Sequence, residues 1–337
     1  MGSSSIDPLQ ESMEKFNQIA KAAIPFYPFL SQSSIQLLNY SENATYLITD
    51  TTTREKYILR VGRPGYHTKI EVESELEWLR SIDQHSSIHV SLPVSGGNGE
   101  YIQVVNYENM NYHCTLFTFL EGEAPNEDNE QELISQFKML GEITAQLHEH
   151  SMANWEQLLH VRRLTWDYET ILGQTPKWGR WQDGLGITPE REKLFTRVSE
   201  KIKTRLERFG KAPTRYGLIH SDLRLANLLV ERDQIKVIDF DDCGFGWYLY
   251  DLATSLSFIE HKPYVPALIE SWLKGYRSVR PLSEEEEQEI PTFILMRRLQ
   301  LIAWVGSRDN ETTRELGSGF TEDTDVLAEK YLQDGKI

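Results

Sequence analysis

One stretch of the chain, residues 217–242, limits the possible folds more than any other. Its apolar runs at 228–230 and 235–238 predict two short strands, and the polar residues 232–234 between them predict a turn. A hairpin returns the chain to its starting point, so residues before the first strand lie beside those after the second. The sequence therefore predicts that both ends of this hairpin contribute to one site.

The residues at the two ends of the predicted hairpin offer side-chain oxygens. Asp222 and Asn227 precede its first strand, and Asp239 follows its second strand. Carboxylate and amide oxygens suit Mg²⁺, which takes few protein ligands and completes its octahedron with water and phosphate oxygens. A metal beside a carboxylate that can orient a hydroxyl is the minimum equipment for phosphoryl transfer.

The length of 337 residues exceeds what one hydrophobic core comfortably supports and suggests two lobes. The chain has no long apolar run, and residues 1–5 lack the apolar stretch of a signal peptide, so we expect no membrane partner and a cytoplasmic location. Cys114 and Cys243 lie far apart and fit no metal or redox spacing, which suits a reducing compartment. The net charge of −16 argues against a nucleic-acid partner and favours, more weakly, cationic substrates.

The order of predicted elements separates a mainly β first part from a mainly helical second part. Residues 11–24 and 69–82 are predicted as helices. The strands predicted in the first part are 35–38, 45–49, 56–61, 88–94, 101–106 and 113–119. Helices predominate beyond a seam near residues 119–125, where Gly122 and Pro125 interrupt regular structure. The expected fold class is α+β.

The motif around the hairpin resembles that of a known family. The pattern His220-x-Asp222-x-x-x-x-Asn227, followed by Asp239, is shared by protein kinases and their small-molecule relatives. With no Arg between the His and the Asp, it is most similar to the aminoglycoside phosphotransferase and choline kinase family. The resemblance implies that Asp222 is the catalytic base or hydroxyl-orienting group. It also implies that Asn227 and Asp239 bind Mg²⁺, with Asp239 linking the metal to the β- and γ-phosphates of ATP.

The same resemblance extends over roughly residues 20–310 and implies a protein-kinase-like two-lobe fold. The N-terminal lobe, residues 1–120, is expected to be an antiparallel sheet with a helix that covers the nucleotide. The C-terminal lobe, residues 121–337, is expected to be mainly helical and to hold the catalytic loop, the metal site and the substrate helices.

Nucleotide contacts are implied for the first lobe. The family places a cation, usually Lys, on the strand that here carries Arg60, and a guanidinium also pairs well with phosphate oxygens. Its implied partner is a Glu of the next helix, for which Glu75 matches best and Glu71 competes. Phe119 lies at the position where the family binds the adenine edge through its backbone. The turn at 39–46 has no glycine, so no residue there is assigned to the nucleotide.

Three further residues near the motif have implied supporting roles. Arg224 stands two residues after Asp222, where a cation can neutralise charge on the transferring phosphoryl group, although a plain surface charge is an alternative. His220 is expected to hydrogen-bond backbone near Asp239. Asp251 is expected to accept backbone N–H bonds from the catalytic loop, to be the N-cap of a helix that follows it, or both.

Two segments of the second part carry alternative interpretations. The acidic run at 283–289 either attracts an amine or begins a helix with a capping box between Ser283 and Glu286, and the second interpretation is preferred. The aromatic segment at 155–181 either forms a cation–π site for an amine or packs in the interior. Packing is the preferred interpretation.

The resulting hypothesis is a phosphotransferase that uses ATP and Mg²⁺ to phosphorylate a hydroxyl of a small, amine-bearing molecule. A bacterial serine/threonine protein kinase of the same family is one alternative. The short distance from Asp239 to Asp251, without an Ala-Pro-Glu motif, leaves little room for a peptide platform and favours the small acceptor. A pseudokinase that binds nucleotide without turnover is the other alternative, supported by Arg60 and the glycine-free turn.

Overall fold

The computed structural model describes residues 8–41, 43–158, 160–232, 234–308 and 311–337. Sequence predictions that include residues 1–7, 42, 159, 233, 309 or 310 lie in part outside the described residues. The chain divides into two compact units, which comprise Met1–Gln84 with Val90–Leu120, and His85–His89 with Glu121–Ile337. Within the described part of the chain, no helix has the length and apolar character needed to cross a bilayer.

The first unit is built on an antiparallel sheet. Its elements are α1 (Pro8–Ala23), β1 (Ser33–Tyr40), β2 (Ala44–Asp50), β3 (Lys56–Val61), α2 (Lys69–His85), β4 (Pro93–Val94), β5 (Ile102–Tyr107) and β6 (Met110–Thr118). The strands lie in the order β1-β2-β3-β6-β4, and β5 also pairs with β6. Helix α1 packs on this sheet through its residues at helical spacing, including Phe16, Ile19 and Ala23.

One strand prediction in this unit is largely wrong. Of the predicted strand 88–94, only Pro93–Val94 forms ladder pairs, with Phe117 and Leu116 of β6. In this register residues 88–92 would lie opposite Thr118 and the residues after it, but β6 ends at Thr118. The apolar pattern therefore gave a false strand because the partner strand ends there. The other predicted strands and both helices are confirmed within a few residues.

The second unit is mainly helical. Its elements are α3 (Glu130–Ala153), α4 (Trp155–Leu158), β7 (Leu164–Trp166), α5 (Tyr168–Ile171), α6 (Pro189–Phe209), β8 (Tyr216–Ile219), β9 (Leu228–Glu231), β10 (Gln234–Val237), β11 (Gly244–Trp247), α7 (Leu249–Ser255), α8 (Val265–Val279), α9 (Glu284–Gln288), α10 (Ile290–Ser307), α11 (Glu311–Leu316), α12 (Gly319–Glu322) and α13 (Thr324–Asp334). The α+β fold class is confirmed.

Two small sheets position the motif within this unit. Strands β9 and β10 form the predicted antiparallel hairpin, with Leu228 opposite Val237. Strand β11 pairs with β8 in the antiparallel direction and with β7 in the parallel direction. The loop between β8 and β9 is therefore held by a sheet at each end. The capping box predicted for Ser283 and Glu286 is present at the start of α9.

Helices α3 and α8 approach closely because glycines lie at their contact. A Cβ placed on Gly275 would lie 1.8 Å from the carbonyl oxygen of Lys138, and one on Gly141 would lie 2.1 Å from that of Trp272. Both neighbours are backbone atoms, which cannot turn away as a side chain does. The two helices can approach this closely only because neither position carries a methyl group.

We expect Gly275→Ala to destabilise the protein by at least about 1–3 kcal/mol, the usual cost of overpacking, because the new methyl forces the two helices apart. Urea unfolding measures this change. Gly319→Ala is the matched control, since a Cβ on this helical glycine meets no neighbour within 4 Å. Equal stability of the two variants would show that the contact between α3 and α8 is loosely packed.

Candidate active site

The predicted convergence of the hairpin ends is observed. The loop of residues 220–227 follows β8 and leads into β9. Beyond the last ladder pair, the backbone N–H of Ile238 donates to the carbonyl oxygen of Asn227 at 3.0 Å. This hydrogen bond extends the pairing by one residue and brings Asp239, the next residue, to the same end of the hairpin as Asn227.

Asp222 carries the one carboxylate of this loop, and three side chains donate hydrogen bonds to it. Its Oδ2 accepts hydrogen bonds from Asn227 Nδ2 at 2.8 Å and from Arg224 Nε at 3.3 Å. Its Oδ1 accepts one from Arg297 Nη2 at 2.6 Å. Burial acts to raise the pKa of Asp222, but the charges of Arg297 and Arg224 outweigh it and hold that pKa below its usual value. Asp222 is therefore ionised at neutral pH.

Arg297 is a site residue that the sequence analysis missed. It lies on α10 and is almost fully buried, with its side chain 2% exposed. Its Nε donates to Ser257 Oγ at 2.9 Å, its Nη1 donates to Gln300 Oε1 at 3.2 Å, and its guanidinium lies 5.1 Å from the ring centre of Trp178. The available signal was two adjacent arginines in a predominantly apolar helix, because a charge there is buried only when it is paired.

Asn227 and Asp239 are the residues with oxygens suited to a metal. The amide nitrogen of Asn227 is committed to Asp222, donating to its backbone oxygen at 2.9 Å as well as to its carboxylate. The side-chain Oδ1 of Asn227 is thereby left as an acceptor with no hydrogen-bond donor among the described residues. Asp239 is exposed and has a left-handed backbone, with φ 63° and ψ 66°, a conformation that Asp tolerates better than most residues.

The start of the 220–227 loop is tied to a buried carboxylate. Asp251 Oδ1 accepts the N–H of Ser221 at 2.6 Å, and its Oδ2 accepts that of His220 at 3.2 Å. These are the backbone hydrogen bonds predicted for Asp251. The N-cap alternative is wrong, because α7 begins at Leu249, immediately after β11, and Asp251 lies within its first turn. Its carboxylate faces the loop and not the amides of its own helix.

His220 supports the same loop from within. Its Nε2 donates to the carbonyl oxygen of Ile238 at 3.1 Å, and its Nδ1 accepts the backbone N–H of Asp222 at 3.2 Å. The predicted hydrogen bond to backbone next to Asp239 is confirmed. One imidazole thus connects the loop before the hairpin to the residue after it.

A chain of buried hydrogen bonds holds Asp251 from the opposite side. His148 Nε2 contacts Asp251 Oδ2 at 3.1 Å, and His148 Nδ1 contacts the hydroxyl of Tyr276 at 2.9 Å. Arg280 Nη1 donates to that hydroxyl at 2.6 Å, so the hydroxyl donates to Nδ1 and the imidazole donates to Asp251. Burial lowers the pKa of His148, and the imidazole is neutral in this arrangement.

This lowered pKa makes folding sensitive to acid. The unfolded chain protonates His148 below about its ordinary pKa of 6.5, whereas the folded protein resists protonation. The unfolded state therefore binds more protons as the pH falls through this range, and stability is lost. The stabilisation from a neutral His148 is fully present only above the ordinary pKa.

We expect His148→Gln to lower the melting temperature at neutral pH but to flatten its pH dependence, because the amide donates to Asp251 without titrating. Differential scanning calorimetry from pH 7.5 to 5.5 measures this, with the wild type losing roughly 2–4 °C more than the variant. His89→Gln, a change at an exposed histidine, is the control and keeps the wild-type slope. A His148→Gln slope equal to the wild-type slope would contradict the assignment.

The cation predicted for the nucleotide in the first unit has the predicted partner. Arg60 on β3 forms a two-pronged ion pair with Glu75 on α2, in which Nη1 and Nη2 each lie 2.7 Å from a carboxylate oxygen. Both side chains are buried. The competitor Glu71 instead accepts hydrogen bonds from Thr68 at the start of α2. The pairing of Arg60 with Glu75 is confirmed, and their contact with a nucleotide stays a prediction.

Backbone groups on either side of Phe119 form hydrogen bonds within the protein. The N–H of Thr118 donates to the carbonyl oxygen of Leu92 at 2.8 Å, and the carbonyl oxygen of Glu121 accepts from Lys236 Nζ at 2.9 Å. The ring of Phe119 is covered by Lys56, whose Nζ lies 4.8 Å from the ring centre. Adenine binding by the Phe119 backbone stays a prediction.

The aromatic segment at 155–181 mostly forms part of the interior. Trp166, Trp178 and Trp181 are all buried, and the rings of Trp166 and Trp178 meet edge to face at 5.5 Å. The cation over Trp178 is the protein's own Arg297. Packing, the preferred interpretation, is confirmed for these three residues.

The site has an ionised aspartate fixed by hydrogen bonds, followed by a hairpin with further side-chain oxygens at one end. This is the arrangement of a protein-kinase-like phosphotransferase. Residues 35–282 match the family described as the Phosphotransferase enzyme family, and the chain belongs to this family. A solved microcompartment-associated aminopropanol kinase is 41% identical to it, with a TM-score of 0.86 over 94% of this chain and 97% of that one.

Two further relatives are amicoumacin kinases. The one from Bacillus subtilis (strain 168) is 23% identical over 321 residues, which is 91% of each protein. The other was solved in complex with AMP-PNP, Ca²⁺ and Ami, and it shares the fold at a TM-score of 0.75 and 18% identity, with 95% of this chain and 96% of that one covered. The chain is accordingly a kinase of the small-molecule class, with a hydroxyl as acceptor.

Proposed function

We propose that this kinase transfers the γ-phosphate of ATP, with Mg²⁺, to the hydroxyl of a small amino alcohol of the aminopropanol type. The observation that carries the proposal is the ionised Asp222, whose carboxylate is held from both sides before any acceptor arrives. The identity of 41% with an aminopropanol kinase over nearly the whole chain supports this class of acceptor.

Asp222 would orient the acceptor hydroxyl and receive its proton. The hydroxyl oxygen forms a bond to the γ-phosphorus while the bond from that phosphorus to the bridging oxygen of ADP breaks. Such a transfer depends on positioning and charge neutralisation more than on a strong base. Arg224, which lies 3.3 Å from Asp222 and is partly exposed, would neutralise charge on the moving phosphoryl group.

Asn227 and Asp239 would hold the metal. The acceptor oxygen of Asn227 and the exposed carboxylate of Asp239 lie at the same end of the hairpin and form a hard-oxygen donor set that fits Mg²⁺. When bound, Mg²⁺ neutralises charge on the phosphate oxygens. The relative solved with AMP-PNP and Ca²⁺ supports the use of a nucleotide with a divalent cation.

Arg60 would bind the α- and β-phosphates, and Glu75 would orient it. The ion pair with Glu75 fixes the orientation of the guanidinium, whose planar set of donors suits phosphate oxygens. An Arg in place of the usual Lys is therefore compatible with turnover, and the backbone at Phe119 would bind the adenine.

The short segment after Asp239 supports a small acceptor over a protein. It forms a 3-10 helix at Phe240–Asp242, then β11, and enters α7 directly. Strand β11 is paired on both of its edges, with β8 and β7, so its backbone has no free edge for a peptide. The net charge of −16 also favours a cationic acceptor such as an amino alcohol.

We expect Asp222→Asn to lower kcat by about 10²–10⁴-fold with little change in KM for ATP, because Asp222 acts on the acceptor hydroxyl and has no assigned contact with the nucleotide. ADP release with aminopropanol, ethanolamine, choline and homoserine measures this, and propan-2-ol serves as the acceptor without an amine. Asp334→Asn, at an exposed position, is the control variant.

An active Asp222→Asn would refute the assigned role. Absence of turnover with every acceptor would favour the pseudokinase, and equal turnover of propan-2-ol would refute the amine preference.

We expect Asp239→Asn to weaken nucleotide binding in the presence of Mg²⁺ by at least roughly 10-fold, because a charged metal ligand is lost. Binding of ADP without Mg²⁺ should change little. Isothermal titration calorimetry with and without EDTA separates the two cases. Metal-dependent binding that is unchanged in Asp239→Asn would remove Asp239 from the metal site.

A further inference from the structure

The two oxygens of the Asp222 carboxylate are not equivalent. Oδ2 accepts hydrogen bonds from Asn227 and Arg224, whereas among the described residues Oδ1 accepts only from Arg297. Each oxygen of a carboxylate offers about two lone-pair directions. The contacts therefore fill Oδ2 and leave one direction open on Oδ1.

We propose that Arg297 is a positioning residue that fixes Oδ1 of Asp222 as the atom that receives the acceptor hydroxyl. This inference rests on the proposed role of Asp222. It adds that the oxygen used is determined by a side chain of α10, outside the motif. Arg297 itself acts through Asp222 and transfers no proton.

The surroundings of Arg297 make it suitable for this task. Its Nε is held by Ser257, its Nη1 by Gln300, and its plane lies against Trp178. Gln300 is fixed in turn because its Oε1 also accepts a hydrogen bond from the hydroxyl of Tyr250. With these contacts made, the guanidinium presents Nη2 to Asp222 without a further loss of side-chain freedom.

The adjacent Arg298 is a natural control. It is equally buried on the same helix, but its contacts are Glu260, Thr324 and the carbonyl oxygen of Phe320. Both arginines therefore contribute hydrogen bonds within the interior, and only Arg297 contacts Asp222. A difference between equivalent substitutions separates positioning from general support of the fold.

The experiment compares Arg297→Lys with Arg298→Lys in the full chain. A lysine has a single terminal nitrogen and cannot hold the Asp222, Gln300 and Ser257 contacts together. We expect Arg297→Lys to reduce kcat about 10- to 100-fold and to leave KM for ATP unchanged, because Asp222 is no longer positioned for the acceptor hydroxyl. Arg298→Lys should lower the melting temperature while its kcat and KM for ATP match the wild type.

Three outcomes decide the inference. If Arg297→Lys and Arg298→Lys give the same kcat, while Asp222→Asn is inactive, the inference about Arg297 fails and the proposed function stands. If Asp222→Asn is active, the proposed function itself fails. If Arg297→Lys does not fold, Ser257→Ala takes its place, because it releases only Nε. A several-fold lower kcat with unchanged KM for ATP then supports the inference, and an unchanged kcat overturns it.

Discussion

The active-site loop depends on one buried carboxylate, that of Asp251. An isolated charge in a protein interior is strongly unfavourable, so this carboxylate must be surrounded by donors. Those donors are the backbone amides of His220 and Ser221 and the imidazole of His148. The requirement to satisfy Asp251 therefore fixes the backbone immediately before Asp222, including the left-handed conformation of Ser221, whose φ is 64°.

Features determined by neighbours in sequence could be predicted. The hairpin, the capping box at Ser283 and the hydrogen bonds of His220 depend on residues a short distance apart, whose types and spacing already limit the backbone. The pairing of Arg60 with Glu75 crosses from a strand to the next helix, and the family resemblance supplied that connection. These features are the part of the fold and the site that the sequence could predict.

Features determined by distant partners could not be predicted. Arg297 follows Asp222 by 75 residues, and helical periodicity does not tell which buried side chain an arginine will meet. The false strand at 88–94 has the same origin, because its pattern was suitable but its partner strand, β6, ends at Thr118. For Asp251, the predicted hydrogen bonds to the loop backbone were right. The predicted N-cap position was wrong, since α7 begins at Leu249, shortly after β11.

The glycine contact between α3 and α8 has a consequence for chemistry some distance away. His148 lies on α3 and Tyr276 lies on α8, one residue after Gly275, so the helix separation sets the 2.9 Å hydrogen bond between them. A hydrogen bond tolerates only a few tenths of an ångström before it weakens. The two glycines therefore keep the helix separation, and with it this hydrogen bond, within that narrow range. A change in the packing of two helices is transmitted through the imidazole to Asp251, and from there to the backbone that carries Asp222.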